Sequence, residues 1–176
     1  MKNFTKTQKT VYLGLFIALT IILARCINIQ IKVFTFHGFP IILSGMIFGP
    51  VSGAIVGGLS DILGYFLNSF GKAYHPGFTL TSALTGFIPA LFLIPFNKEM
   101  KMPSFWYLTL AIFTGQFITK IILMPYFYSQ LAGQNFFFIK VLEGSFSQLI
   151  HVPLYAFLIY KILKAFRLSK PEGPSC

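Results

Sequence analysis

Gly49-Pro50-Val51-Ser52-Gly53-Ala54-Ile55-Val56-Gly57-Gly58-Leu59-Ser60-Asp61-Ile62-Leu63-Gly64-Tyr65-Phe66-Leu67-Asn68-Ser69-Phe70 is the stretch on which the fold turns. One acid, Asp61, sits between two uncharged runs, Val33 to Ser60 and Ile62 to Gly71. The stretch is long enough to cross a bilayer, which takes about 20 apolar residues. Gly53, Ala54, Gly57, Gly58 and Ser60 give it a small-residue face on which another helix can pack closely. A carboxylate at that depth is expensive against lipid, so Asp61 is expected to face a pocket, a partner or water.

Composition agrees with a membrane chain. Of 176 residues, 55% are hydrophobic and only 10% charged, with mean hydropathy +0.74. Soluble domains carry about 25% charged residues. The length allows about six spans and no sizeable soluble domain. The expected class is therefore an all-α integral membrane protein, a compact bundle of six transmembrane helices. Residues 1–166 would form one domain, and the Pro/Gly-broken tail 167–176 is expected to be disordered.

Working outward, helices are expected over about Thr10–Cys26, Pro40–Phe48, Val51–Phe70, Thr79–Pro95, Ser104–Pro125 and Phe137–Phe166. The apolar stretch ending at Arg25 reads as a first span, since no small-residue cleavage site precedes it. Ile27, Ile29 and Ile31 alternate with Asn28, Gln30 and Lys32, a period of two that predicts an extended outer segment, Ile27 to Phe39, able to act as a lid. Lys72 to Phe78 and Tyr126 to Phe136 read as outer breaks, Asn97 to Pro103 as an inner loop. Pro89 is an expected kink.

The net charge of +10 comes from 14 basic and 4 acidic residues. Lys2, Lys6, Lys9, Lys98, Lys101, Lys161, Lys164, Arg167 and Lys170 would all share one side if the number of spans is even. The positive-inside rule makes that side, with both termini, cytoplasmic. Basic stripes with interleaved exposed aromatics are absent, so nucleic acid is not the expected partner. Cys26 and Cys176 make no metal pattern, and no His/Cys cluster points to a metal or cofactor. No Gly-x-x-x-x-Gly-Lys-Ser/Thr loop is present, and no Ser/His/Asp or Cys/His set is spaced for catalysis, so no enzyme activity is expected.

The polar residues within the spans carry the functional signal. Arg25, Asp61, Lys72, Lys120, Lys140 and Glu143 map to the middle or outer half, with Gln116, Asn135, Gln148 and His151. Four basic residues against two acids leave a deficit that an anionic ligand would fill in a site of low dielectric. The alternative is internal pairing, such as Arg25 or Lys140 with Glu143, and snorkelling lysines. Asp61 offers two acceptor oxygens to an amino-substituted heterocycle; its alternative is a tie to a Lys or hydroxyl on another helix. Tyr65, one turn on, shares its face. Phe34, Phe36, Tyr74 and Phe78 are candidates to stack on a flat ring, and His75 reads more readily as a local hydrogen-bonding residue. Gly14 and Ala18 form a small-x-x-x-small pair suited to docking a partner helix or to internal packing.

The chain resembles the substrate-binding S components of energy-coupling factor vitamin transporters over about Thr10 to Lys164. The resemblance rests on the short second helix, on Phe48-Gly49-Pro50-Val51-Ser52-Gly53 entering a glycine-rich helix, and on Ser60-Asp61-Ile62-Leu63-Gly64-Tyr65. Tyr74-His75-Pro76-Gly77-Phe78-Thr79-Leu80-Thr81 followed by Ala83-Leu84-Thr85-Gly86 is similar to the folate-specific branch. The resemblance implies a multi-pass protein of the bacterial plasma membrane that captures a vitamin from outside. It also implies work with a transmembrane coupling protein and two ATPases, which Gly14 and Ala18 would help to meet. It departs from the usual docking motif in having Gly at the first position. Folate suits the residues: a carboxylate such as Asp61 or Glu143 would read the pterin, and Arg25, Lys72, Lys120 or Lys140 would hold the dianionic glutamate. The expected ligand-binding set is Arg25, Phe36, Asp61, Tyr65, Lys72, Tyr74, His75, Phe78, Lys120, Asn135, Lys140 and Glu143. Riboflavin, pantothenate or a thiamine precursor is the alternative ligand. A small lipid-processing membrane enzyme and a self-sufficient facilitator are the alternative classes.

Overall fold

The computed structural model describes residues 5–25, 36–67, 69, 74–95, 103–133 and 135–168, except the side chains of 25, 132, 135, 136 and 166–168. Residues 27–35 of the expected extended segment Ile27 to Phe39, Lys72, most of the expected inner loop (97–102) and the tail from 169 lie outside the described residues; 36–39, expected to be extended, form a turn and the start of a helix, and 167–168 of the expected tail are helical. Those that are described are helical or in short turns, and no strand occurs among them.

The first helix, α1 (Lys6–Arg25), begins earlier than the apolar run. A reciprocal cap explains this: Gln8 N donates to Thr5 Oγ1 (3.3 Å) and Thr5 N to Gln8 Oε1 (3.2 Å). Such a box satisfies two amides that a helix start otherwise leaves open. The second, α2 (Gly38–Phe48), ends at Gly49, whose φ of 99° turns the chain into α3 (Pro50–Leu67). Pro50 follows naturally, because a proline at a helix start loses no hydrogen bond. The same device opens α4 (Pro76–Leu91): Pro76 occupies the first turn, and the N-cap His75 accepts through Nδ1 from Gly77 N at 3.1 Å.

The fifth expected helix was to stop at Pro125. Instead α5 (Phe105–Gln116) passes through a π-helical stretch, Phe117–Leu123, into α6 (Met124–Ala132). The π stretch resets the hydrogen-bond register just before Pro125. The proline then falls in a first turn, where its missing N–H and ring are tolerated. Tyr126 to Ala132, expected as loop, therefore remain helical, and the turn comes at Gly133 with φ of 94°. The last helix, α7 (Asn135–Leu168), is 34 residues long, about 51 Å at 1.5 Å per residue, and outruns the hydrocarbon core.

With α5, the π stretch and α6 as one continuous rod, the described chain forms six helical rods. Four stretches are long and apolar enough to cross a membrane, Lys6–Ala24, Pro50–Leu67, Phe105–Leu131 and Phe137–Ala165, with Gly38–Phe48 a shorter apolar helix. The chain is a multi-pass membrane protein. Its outer surface says the same: Phe66, Trp106, Phe138 and Leu149 are each at least 75% exposed, an arrangement that lipid tolerates and water does not.

The interior has two seams. One joins α2, α5 and α7 through Ile42, Met46, Leu108, Ile112, Tyr155, Ala156 and Ile159. The other joins α2, α3 and α4. There a Cβ on Gly53 would stand 2.6 Å from Gly86 O, and one on Gly57 would overlap Ser82 O. Backbones this close are possible only where side chains are missing, which is the use of the small-residue face read from the sequence.

Candidate functional site

A cavity of about 280 Å³ opens between the start of α2, the α5–α6 rod and α7. That is near the lower end of small-molecule sites, about 300–1,000 Å³. Lining it are His37 and Gly38, then Gln116, Lys120 and Met124 from the rod. From α7 come Lys140, Glu143, Gly144, Phe146, Ser147, Gln148, His151 and Tyr155.

Seven of these eight α7 residues, 140, 143, 144, 147, 148, 151 and 155, fall on one face of a helix repeating every 3.6 residues, with Phe146 at its edge. The rod set is spaced by four, which likewise keeps it on one side. Gly144 is what lets the two rods meet at the cavity. A Cβ there would lie 3.0 Å from Lys120 O, the carbonyl of a residue within the π stretch. The π turn thus presents Lys120 to the cavity at the level of Gly144. Gly38 acts similarly at the other end, where a Cβ would lie 3.4 Å from Tyr155 Cε2 and 3.5 Å from Gln116 Nε2.

The cavity is chemically polarised. At the end nearer the α6–α7 turn, Lys140 Nζ meets Glu143 Oε2 at 2.6 Å, both half-exposed, with the ammonium 4.9 Å from the Tyr128 ring centroid. Eight residues along α7 from Lys140, about 12 Å, lies Gln148, and beyond it His151 and Tyr155. This second end is neutral. Gln116 and Gln148 are 2% and 8% exposed, and the Oε1 of each has no hydrogen-bond partner among the described residues. His151 Nδ1 lies 2.7 Å from Ser147 O and 3.0 Å from Ser147 Oγ. Phe36 packs against His151 and Tyr155, with centroids 6.2 and 6.4 Å away.

Of the residues picked from sequence, Lys120, Lys140 and Glu143 line the cavity, and Phe36 borders it. Asp61, Tyr65, Tyr74, His75 and Phe78 gather instead where α3 meets α4. Thr79 Oγ1 donates to Asp61 Oδ2 at 2.7 Å. Its single proton is then used, so Tyr74 OH, 2.9 Å away, donates to Thr79. Tyr65 and Tyr74 rings are 5.2 Å apart, and His75 sits between Phe78 and Phe127 at 5.7 and 5.5 Å. The Thr79–Asp61 bond is a helix–helix tie to a hydroxyl, of the kind read from the sequence as the alternative to ligand contact by Asp61. Lys72 and the side chains of Arg25 and Asn135 lie outside the described residues. Gly14 and Ala18 are both exposed on α1, with open space around Gly14.

Sequence reasoning counts Gln116, Gln148 and His151 among the polar residues in the spans but gives none of them to the ligand. It passes over His37, Gly38, Met124, Phe146, Ser147 and Tyr155. The stripe on α7 was available as a signal, since Lys140, Gly144, Ser147, Gln148 and His151 recur at helical spacing in an otherwise apolar span.

Three comparisons bear on this architecture. A family profile described as "ECF-type riboflavin transporter, S component" matches residues 4–167. A curated relative, the folate transporter FolT of Clostridium novyi (strain NT), is 35% identical over 99 residues. That match spans 55% of this chain and about half the relative's length, 56%. A crystal structure of FolT bound with folic acid superposes with a TM-score of 0.76 at 25% identity, covering 97% of this chain and 99% of that one. Six helical rods, a glycine-tight α3–α4 seam and a profile match over nearly the whole length agree, and the chain belongs to the ECF-type transporter S-component family.

Proposed function

We propose that this chain captures folate from outside the cell and delivers it to an ATP-driven coupling module. The observation that carries the reading is the polarised cavity, in a fold that matches folate-bound FolT along 97% of the chain. Folate has a flat ring with hydrogen-bonding edges at one end and two carboxylates at the other. Lys120 and Lys140 hold the carboxylates, and Phe36 and Tyr155 flank the ring end. Lys72, Arg25 and Asn135 are proposed to complete the anionic end from outside the described set. Asp61, Tyr65, Tyr74, His75 and Phe78 act one step back, fixing α4 against α3.

Gly14 and Ala18 form the docking face for a transmembrane coupling protein that joins two ATPases. Val11, Leu15 and Ile22, each at least half exposed, extend that face. The chain binds its ligand without altering it, and both termini lie in the cytoplasm.

Riboflavin, named in the family's description, is a neutral ligand and brings Lys120 no counter-charge, while Lys140 already has Glu143. Calorimetry on the purified chain separates the two. Saturable 1:1 heat with folic acid and none with riboflavin is expected; the reverse result overturns the folate assignment. Liposomes containing the chain alone are expected to accumulate no folic acid. Accumulation without partners would make it a facilitator, and ligand turnover would make it an enzyme.

A further inference from the structure

We propose that Gln116 and Gln148 form a carboxamide pair that selects the ligand by a ring N–H, setting which heterocycle the neutral end of the cavity accepts. The proposal rests on the folate reading for its ligand, but its physical basis is independent of it. The two amides come from facing elements, α5 and α7, and both line the cavity. Both are more than nine-tenths buried, and each keeps an oxygen with no hydrogen-bond partner among the described residues. A buried acceptor left unmade carries a penalty of about 1–3 kcal/mol. Two of them lining one cavity carry a cost to the empty protein that a donor-bearing ligand removes on binding.

The direction of selection follows. Folic acid has an N–H at ring position 3, beside its 4-oxo group. Its 4-amino analogue, aminopterin, has a bare nitrogen acceptor at that position and the same glutamate tail. Acceptor facing acceptor leaves both unpaired, and a site built around a hydrogen bond discriminates strongly against a ligand that cannot make it. The anionic tail cannot produce this preference. Lys140 lies about 12 Å along α7 from Gln148, and the tails of the two ligands are identical.

The test is the ratio of two affinities, measured by calorimetry on the full chain. Wild type is expected to bind folic acid at least tenfold tighter than aminopterin. Gln116→Met and Gln148→Met keep length and remove the amide. Each is expected to weaken folic acid tenfold or more and bring the ratio within about threefold of unity, at unchanged or higher Tm. A purely structural role would weaken both ligands alike and leave the ratio where it was, which overturns the proposal. A wild type that ignores folic acid defeats the folate reading separately. The same variants are then read with riboflavin against its N3-methyl derivative, whose ring N–H is blocked. Equal binding of that pair, or binding of neither vitamin, overturns the carboxamide proposal as well.

Discussion

Two adjacent glycines on α3, Gly57 and Gly58, should respond to the same substitution with opposite sign. A Cβ on Gly57 would overlap Ser82 O and stand 2.7 Å from Ser82 C and 3.1 Å from Ala83 Cα. All three atoms belong to the α4 backbone, so no side chain can rotate away. Relief requires α3 and α4 to separate by about 1 Å, and overpacking of this kind typically costs about 1–3 kcal/mol. A Cβ on Gly58 meets only Ala83 Cβ and Thr79 Cγ2, both at 3.9 Å, which is ordinary contact. There the change from Gly to Ala keeps only its helix-propensity gain, about 0.5–1 kcal/mol. At about 2–4 °C per kcal/mol for a chain of this size, Gly57→Ala should lower the Tm by about 2–12 °C. Gly58→Ala should raise it by about 1–4 °C on the same scale. Thermal unfolding in one detergent, followed by circular dichroism or nanoscale fluorimetry, measures both. A Tm for Gly57→Ala equal to or above that of Gly58→Ala would refute the close α3–α4 seam.

The cavity gives three further expectations. With Lys120 holding a ligand carboxylate as proposed, Lys120→Gln removes a charge-assisted hydrogen bond worth about 1.5–3 kcal/mol, so folic acid affinity by calorimetry should fall about 10- to 150-fold. Glu143→Gln breaks a half-exposed ion pair worth about 0–1 kcal/mol, so Tm should barely move; folic acid should bind as well or better, since Lys140 is released to the ligand. Asp61→Asn preserves an acceptor for Thr79 Oγ1 and removes a charge from a residue that does not line the cavity. Affinity should change by less than about threefold, under about 1 kcal/mol, and a loss beyond tenfold would return Asp61 to direct ligand contact.

The sequence by itself determined the solvent and most of the architecture. Its apolar runs, scarcity of charge and small-residue face at Gly53, Ala54, Gly57 and Gly58 are local properties. A lipid environment turns them into spanning helices and close packing with few alternatives. That Lys120, Lys140 and Glu143 stand within spans was legible for the same reason, because charges in spans stand out. Tertiary structure decided what those residues touch. Asp61 lies on a face that meets Thr79, 18 positions later in the chain, and nothing in either segment alone specifies that meeting. The π stretch before Pro125 was equally hidden, since proline reads as a stop until a reset register accommodates it. That stretch brings Lys120 level with Gly144 and extends the rod. The rotation of one helix against another then separated the charged end of the cavity from the buried amides of Gln116 and Gln148. Such phases are fixed by packing between distant segments, not by the local spacing that a sequence displays.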